Sequence, residues 1–537
     1  MFRRMRKPTG RTLRMNQTME ARSNEKLSRF KEQRLNSMLK SNVETMKGLF
    51  GESNDFVLRR FLIGGDGGVE AAAAFIDGLV DSKLIDEFIL KAAMTEPSEI
   101  MKQCAEAPEQ VNTYVKLSVL PVNEISETDH LYKVVEGVLS GDSVVFLEGS
   151  SQAIVLNTKG WERRGVEEPR TESVVRGPRN GFTETLRINT AQIRLKLKDP
   201  ELRVKGMTVG QRSKTNVAVM YIEGLTNHAI ADEIIRRIEA INIDAVIDSG
   251  YIEQLIEDTH WTPFPMIQNT ERPDKVAANL LEGKVAIVCD GSPFVLIAPA
   301  VFSQFYHSPE DYYERFLIST FIRIIRVISM GMAIMLPSLY IAFSSFHPEM
   351  IPSRLVIAMA AGRSTVPFPS IVEAFLMEVT MEILREASVR LPGPIGPTIG
   401  IVGALVVGQA AVEAGIVSPI MVIIVALTTI GSFASPSYSA AIALRMLRFP
   451  MMIAASLFGL YGIMLLLILI IIHLCSLKSF GVPYMSPVSP YHRNDIKDTF
   501  FRVPIYKLKK RPTTFMPKDK YRMAPEKKGG NTDGANQ

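Results

Sequence analysis

The chain runs to 537 residues, 47% hydrophobic and 22% charged, with a formal net charge of +5 from 61 Lys and Arg against 56 Asp and Glu. That length implies two or three folding units. Three widely spaced cysteines, Cys104, Cys289 and Cys475, with no C-x-x-C pair argue against a disulfide framework or a zinc site.

Residues 1–54 read as a basic extension, expected to be disordered; Arg3, Arg4, Arg6, Lys7, Arg11 and Arg14 all precede the first acid, Glu20. No apolar run of the signal-peptide kind occurs there, so the soluble part is expected to stay inside. Residues 55–157 and 216–315 read as two similar α/β subdomains. Ala74–Asp81 resembles Met220–Asn227 around Gly78 and Gly224, and each is followed by a helical stretch, Leu84–Lys91 and Ala229–Ile241. Leu139–Ser150 matches Leu281–Ser292 around Gly141 and Gly283. The two matches keep order and nearly equal spacing, 146 and 142 residues, as an internal repeat does. Each copy predicts a strand running into a Gly turn and a helix, then a further helix and two strands joined by a Gly-Ser hairpin turn, with Ala153–Leu156 and Phe294–Ala298 as return strands.

Two Gly-rich stretches invite a phosphate-loop reading and lack its chemistry. Gly64–Gly68 has no Gly-Lys-Ser/Thr after it and reads as a hairpin turn, while Gly210–Thr215 carries Ser213 where close phosphate approach needs Gly. Residues 158–215 read as an Arg/Gly/Pro-rich linker in which Arg176 and Arg179 are candidates for interface contacts.

Residues 316–476 read as a transmembrane helical domain. Its first helix, from Phe316 to Phe343, carries Arg323 and Arg326 on one face, either snorkelling to headgroups or ringing a hydrated vestibule, and Pro337 predicts a kink. Ser370–Val389 is mixed: Glu378, Glu382 and Glu386 share one stripe that must face water, protein or a hydrated path, so the helix is either interfacial or vestibule-lining. The next apolar stretch, from Pro392 to Gly415, repeats Gly396, Gly400, Ala404 and Gly408 every four residues, which suits close helix packing, and bears Gln409 and Glu413 near its far end. Val417–Phe433 and Pro450–Leu474 complete four strong spans; the last runs more than twenty residues without an acid, Lys or Arg. Residues 477–537 form a basic tail, and with both ends basic the positive-inside rule puts both on the cytoplasmic side. Four spans leave Arg445 and Arg448 outside unless the 353–391 segment is two-pass or re-entrant. The basic ends suit anionic lipid better than nucleic acid.

Catalytic signatures are absent: there is no H-E-x-x-H or G-x-S-x-G, the seven His residues are scattered, and the acids of Glu253–Asp258 have the spacing of a solvated helix face. The chain therefore reads as a non-enzyme without cofactor or metal. Its fold class is multi-domain: an N-terminal soluble α/β region of two similar subdomains followed by an α-helical transmembrane domain.

Five stretches carry a resemblance. Gln268–Leu296, the SPEDYYERF run of Ser308–Phe316, the HPEMIP run of His347–Pro352, Ile401–Pro419 and His473–Pro487 resemble the A subunits of GerA-type spore germinant receptors, over roughly Asp55–Pro490. A paralogous branch associated with the SpoVA dipicolinic-acid channel shares most of these motifs. The resemblance implies a multi-pass protein of the spore inner membrane, with N-terminal domain and tail on the cytoplasmic (core) side. It implies partners too: a transporter-like B subunit that senses nutrients, a C-subunit lipoprotein, and copies of itself in a ring that releases monovalent cations. On that footing Val402, Val406, Gln409 and Glu413 are pore candidates, Glu378, Glu382 and Glu386 pore or vestibule candidates, and the Gly396–Gly408 stripe the ring-packing surface. The competing expectation is a non-conducting scaffold of the receptor.

Overall fold

The computed structural model describes residues 32–63, 68–86, 125–160, 167–390 and 395–523, apart from the side chains of 395–402 and 405. Residues 64–67 of the Gly64–Gly68 turn, most of Leu84–Lys91, Cys104 and the first thirty-one residues lie outside that set, as do the side chains of Gly396, Gly400 and Val402.

The first soluble unit contains α1 (Leu39–Phe50), β1 (Phe56–Ile63), β2 (Val69–Ile76), β3 (Ile125–Thr128), α2 (Leu131–Leu139), β4 (Ser143–Leu147) and β5 (Ala153–Leu156). The second contains α3 (Leu186–Lys196), β6 (Leu202–Val209), β7 (Thr215–Ile222), α4 (His228–Glu239), α5 (Ser249–Ile256), β8 (Gln268–Thr270), α6 (Pro273–Leu280), β9 (Val285–Cys289) and β10 (Val295–Ala298). Their sheets have the same order, β1-β2-β4-β5-β3 and β6-β7-β9-β10-β8, all antiparallel. Even the register repeats: Ala71 pairs with Leu147 as Val217 pairs with Cys289. The glycines that carried the repeat have a backbone reason. Gly141 and Gly283 end their helices at φ 90° and 92°, and Gly149 and Gly291 turn their hairpins at φ 83°, conformations open to Gly without Cβ strain.

Two expected boundaries shift. Within the 1–54 extension, α1 is ordered, and its Leu39, Val43, Met46 and Phe50 are buried against Ala72, Ala74 and Phe146 of the first sheet. Those residues recur every three or four positions, a helical stripe that the surrounding charges mask in composition. The 158–215 stretch is not only a connector: it supplies α3 and β6, the counterparts of α1 and β1. Helix α3 also joins the units, since Ala191 enters the first core while Ile193 enters the second.

The helical part contains α7 (Phe316–Ser345), α8 (Ser353–Arg363), α9 (Ser370–Arg390), α10 (Ile395–Glu413), α11 (Pro419–Phe433) and α12 (Tyr438–Ser476). Two helices among the described residues, α7 and α12, are long and apolar enough to cross a membrane. The 39-residue α12 is a hairpin: Gly459 has φ 59° and ψ −137° and breaks it into legs 438–458 and 460–476. A Cβ on Gly459 would lie 2.8 Å from His347 Cε1, so the reversal sits beside the far end of α7. The second leg returns to the soluble side, where Leu474 packs with Ala440 and Ala443.

Helix α9, with Ser370 bonded to Ser345 at 2.6 Å, runs back antiparallel to α7 inside the bundle instead of lying on a surface. With α10 and α11, the bundle among the described residues has six legs, and its first and last residues, Phe316 and Ser476, lie on one side. Arg448 then lies inside the bundle, bonded to the Ala333 carbonyl of α7, and Arg445 pairs with Glu382 of α9, so neither has to sit on the outer side as the four-span count required.

The segment after α12 is folded too. Phe480, Val482 and Phe515 enter the core of the second unit with Val217 and Val219, and Tyr484 is fully buried. Asp258 accepts from Phe480 N at 2.5 Å and from Arg237 at 2.6 Å, so this member of the Glu253–Asp258 acids also holds the tail.

Candidate functional site

Charge concentrates in three places along the axis from soluble unit to bundle. The first lies where α7 leaves the soluble unit. Its first turns carry Arg323 and Arg326, and the preceding short helix Pro309–Tyr312 carries Asp311, itself capped by Ser308. Arg323 Nε donates to Asp311 Oδ2 at 3.1 Å and Nη1 to the Asp498 carbonyl at 2.7 Å. Arg326 Nη1 donates to the same Asp311 oxygen at 3.1 Å and to the Tyr306 carbonyl at 2.7 Å. Both arginines and Asp311 are buried, so the pair neither snorkels nor rings an open vestibule; it is clamped by protein. Tyr312 donates to Asp498 Oδ2 at 2.8 Å under the Arg502 guanidinium, 4.3 Å from the ring. Burial pushes the Asp498 carboxyl above its usual range, against the pull of Arg323. Burial with Arg323 and Arg326 nearby keeps His307 far below its usual value, hence neutral, its Nε2–H donating to the Thr499 carbonyl at 2.9 Å. Sequence reading missed Asp311 and Asp498. The available signal was physical: two buried arginines require acids, and SPEDYYERF supplies one just upstream.

The other interface candidates differ from each other. Arg176 reaches this junction, its backbone N donating to Glu310 at 3.3 Å and its guanidinium lying 3.5 Å from Glu314. Arg179 pairs only with neighbouring Glu168 at 3.3 Å, both exposed. Between the soluble units, Arg194 makes a buried fork to Asp55 at 2.7 and 2.9 Å and bonds Ser53 at 3.0 Å, a joint the sequence did not reveal.

The second place is a ladder inside the bundle. Glu378 is fully buried and paired with Arg448, whose Nε donates to the Ala333 carbonyl at 2.8 Å. Glu382 takes Arg445 at 2.9 Å and lies 3.6 Å from Arg385, Glu386 pairs with Arg390, and Glu373 takes Arg363 at 3.1 Å. The stripe is therefore not three free carboxylates. Glu378 is enclosed within the protomer, while Glu382 and Glu386 line an open groove of about 520 Å³ beside Phe449.

The third is the outer face of α10. Gly408 packs on α11, where its Cβ would meet Val422 at 3.3 Å, and Ala404 is half-buried. Val406 is exposed, and Gln409 donates to Glu413 at 3.0 Å with both exposed. Val406, Gln409 and Glu413 thus share an uncovered face. Among the described residues no cluster of His, Cys, Asp and Glu could hold a metal.

The sequence profile of the Bacillus/Clostridium GerA spore germination protein family matches residues 44–514. Spore germination protein KA of Bacillus subtilis is 46% identical, over 92% of this chain and 89% of its own. The uncharacterized membrane protein YfkQ of the same species is 44% identical over 89% and 91%, and spore germination protein GerLA of Bacillus cereus 41% over 89% and 96%. The crystal structure of the N-terminal domain of the A subunit of the Bacillus megaterium spore germinant receptor GerK3 aligns at 35% identity and TM-score 0.39, covering 50% of this chain and 98% of that one. With a profile match over most of its length and relatives of this similarity, the chain belongs to the GerA spore germination protein family.

Proposed function

We propose that this chain is the A subunit of a nutrient-gated germination receptor in the spore inner membrane, and that copies of it form a cation-conducting pore. The observation that supports the reading is the Val406–Gln409–Glu413 face of α10, polar at one end and left uncovered by its own protomer. Lipid is a poor environment for Gln409 and Glu413, whereas a ring of copies turning this face to a shared axis would give them water and cations. Gly396, Gly400, Ala404 and Gly408 would let neighbouring helices approach, and Val402 and Val406 would form the narrow part. The B subunit would sense the nutrient and the C-subunit lipoprotein would complete the complex, with the soluble units on the core side relaying the signal.

Conductance of the chain reconstituted in planar bilayers tests this. Val406→Trp should abolish current, and Glu413→Lys should reverse the preference for cations over anions. Wild-type currents unaltered by both changes would remove α10 from the pore, and oligomers that carry no current would favour a scaffold role.

A further inference from the structure

Two loops outside the helical bundle carry large exposed apolar side chains and are bonded to its soluble-side ends. On one side Trp261 is 95% exposed. Its neighbour Thr262 has Oγ1 3.0 Å from His473 Nε2, in the last turn of α12, and the Phe264 ring lies tilted beside the same imidazole, centroids 6.3 Å apart. With successive Cα atoms about 3.8 Å apart, the Trp261 Cα lies within about 10 Å of His473 Nε2. On the other side the tail passes along the start of α7: Thr320 Oγ1 accepts from Arg502 N at 3.1 Å and donates to Arg502 O at 3.2 Å. The residues flanking Arg502 are Phe501, Ile505 and Tyr506, exposed by 60%, 57% and 65%, and Lys507, Lys509 and Lys510 follow, also exposed.

Neither loop is near the polar face of α10, and their exposure would be costly in water. The lengths explain it. Helix α7 has 30 residues, about 45 Å at 1.5 Å per residue, against a hydrocarbon core of about 30 Å, so its first turns stand in the headgroup layer. Thr320 lies in that overhang, and His473 closes the run that includes the exposed Ile471 and Ile472. Aromatic rings prefer this depth, and lysines just beyond it prefer anionic headgroups.

We infer that Trp261, Phe501, Ile505 and Tyr506 form an interfacial collar that seats the soluble unit on an anionic bilayer surface, and so sets its height above the spans. This rests on reading α7 and α12 as membrane-crossing. The collar gives the soluble unit a fixed reference, so a displacement within it is delivered to α7 rather than lost in tilting of the whole unit.

The test uses single-tryptophan versions of the full chain in nanodiscs, with Trp161→Phe leaving Trp261 alone, and Tyr506→Trp added to a variant with both native tryptophans replaced by Phe. Lipids brominated near the headgroup end of the acyl chain should quench both probes, iodide should not, and phosphatidylglycerol should deepen the quenching at position 506. Leu469→Trp, on the exposed apolar face of α12, is the control for the spans. Quenching at 469 but at neither 261 nor 506 overturns the collar and leaves the spans standing, whether or not iodide reaches the probes. Absence of quenching at 469 overturns the spans and the collar with them.

Discussion

The fork between Arg194 and Asp55 shows how much a single buried pair decides. Its partners come from different soluble units, and both side chains are nearly inaccessible, so removing one leaves the other charged without water. Asp55→Asn should lower the unfolding free energy of the soluble part by about 3 kcal/mol, whereas pairing Asp55→Leu with Arg194→Met should restore much of it. Denaturant titration of the two variants checks this; equal losses would mean that the fork is not what joins the units. Lys284 makes the opposite case. It is fully buried, bonded to Asn279 and 4.4 Å over the Phe515 ring of the tail, and burial pushes its ammonium down to about 8. A folded value below the unfolded one means that the unfolded chain binds more protons between about pH 8 and the ordinary lysine value, so stability rises with pH across that window. Lys284→Met should therefore raise the melting temperature at pH 7, with the advantage shrinking toward pH 10. A gain that does not vary with pH would assign the effect to packing alone.

At the scale of elements, Gly459 sets the topology of the last two legs. Its φ of 59° suits Gly, and an added Cβ would press on His347 Cε1 at 2.8 Å and Phe346 Cβ at 3.0 Å. Gly459→Ala should cost about 1–3 kcal/mol and loosen the hairpin. Cysteine pairs placed at 455 and 463, which share a buried cluster, should then cross-link more slowly than in the parent, and an unchanged rate would mean the turn tolerates a side chain. The hairpin was not legible in the sequence. Hydropathy marks how much apolar chain there is but not where it reverses, and Pro450, the residue expected to open a span, is carried inside a helix. Helix α9 was only partly legible for a related reason: the stripe does not show that Glu378 and Glu382 are paired until the arginines of α12, some sixty to seventy positions later, are folded against them. By contrast the soluble repeat was legible, because Gly141 and Gly283 and Gly149 and Gly291 record a backbone requirement that holds in both copies.

Across the whole molecule, the soluble unit is tied to the bundle at two places, by the tail after α12 seated in its core and by the junction into α7. Residues 307–315 form the only covalent link into α7, and Asp311 holds both Arg323 and Arg326 at 3.1 Å. Asp498 joins the tail to the same arginine, so three chain segments meet there. Composition showed the arginines but not their partners, since Asp498 lies 175 residues from Arg323 and no local pattern links them. If the clamp is what makes the junction stiff, Asp311→Asn, nearly isosteric but uncharged, should leave each core folded while freeing the link. Losing one partner of such a buried set costs about 3 kcal/mol, a change of about a hundredfold in the population of the opened segment. Trypsin should then cut after Arg315 about a hundredfold faster in detergent, giving a soluble fragment that stays bound through the tail seated in its core. Asp498→Asn should accelerate cleavage less, because Arg323 also uses the Asp498 backbone carbonyl, which that substitution keeps. Equal rates in all three proteins would mean that stiffness resides in the apolar packing of Tyr306 on Met330 and Leu444, and that the charges serve only to bury α7 where it leaves the soluble unit.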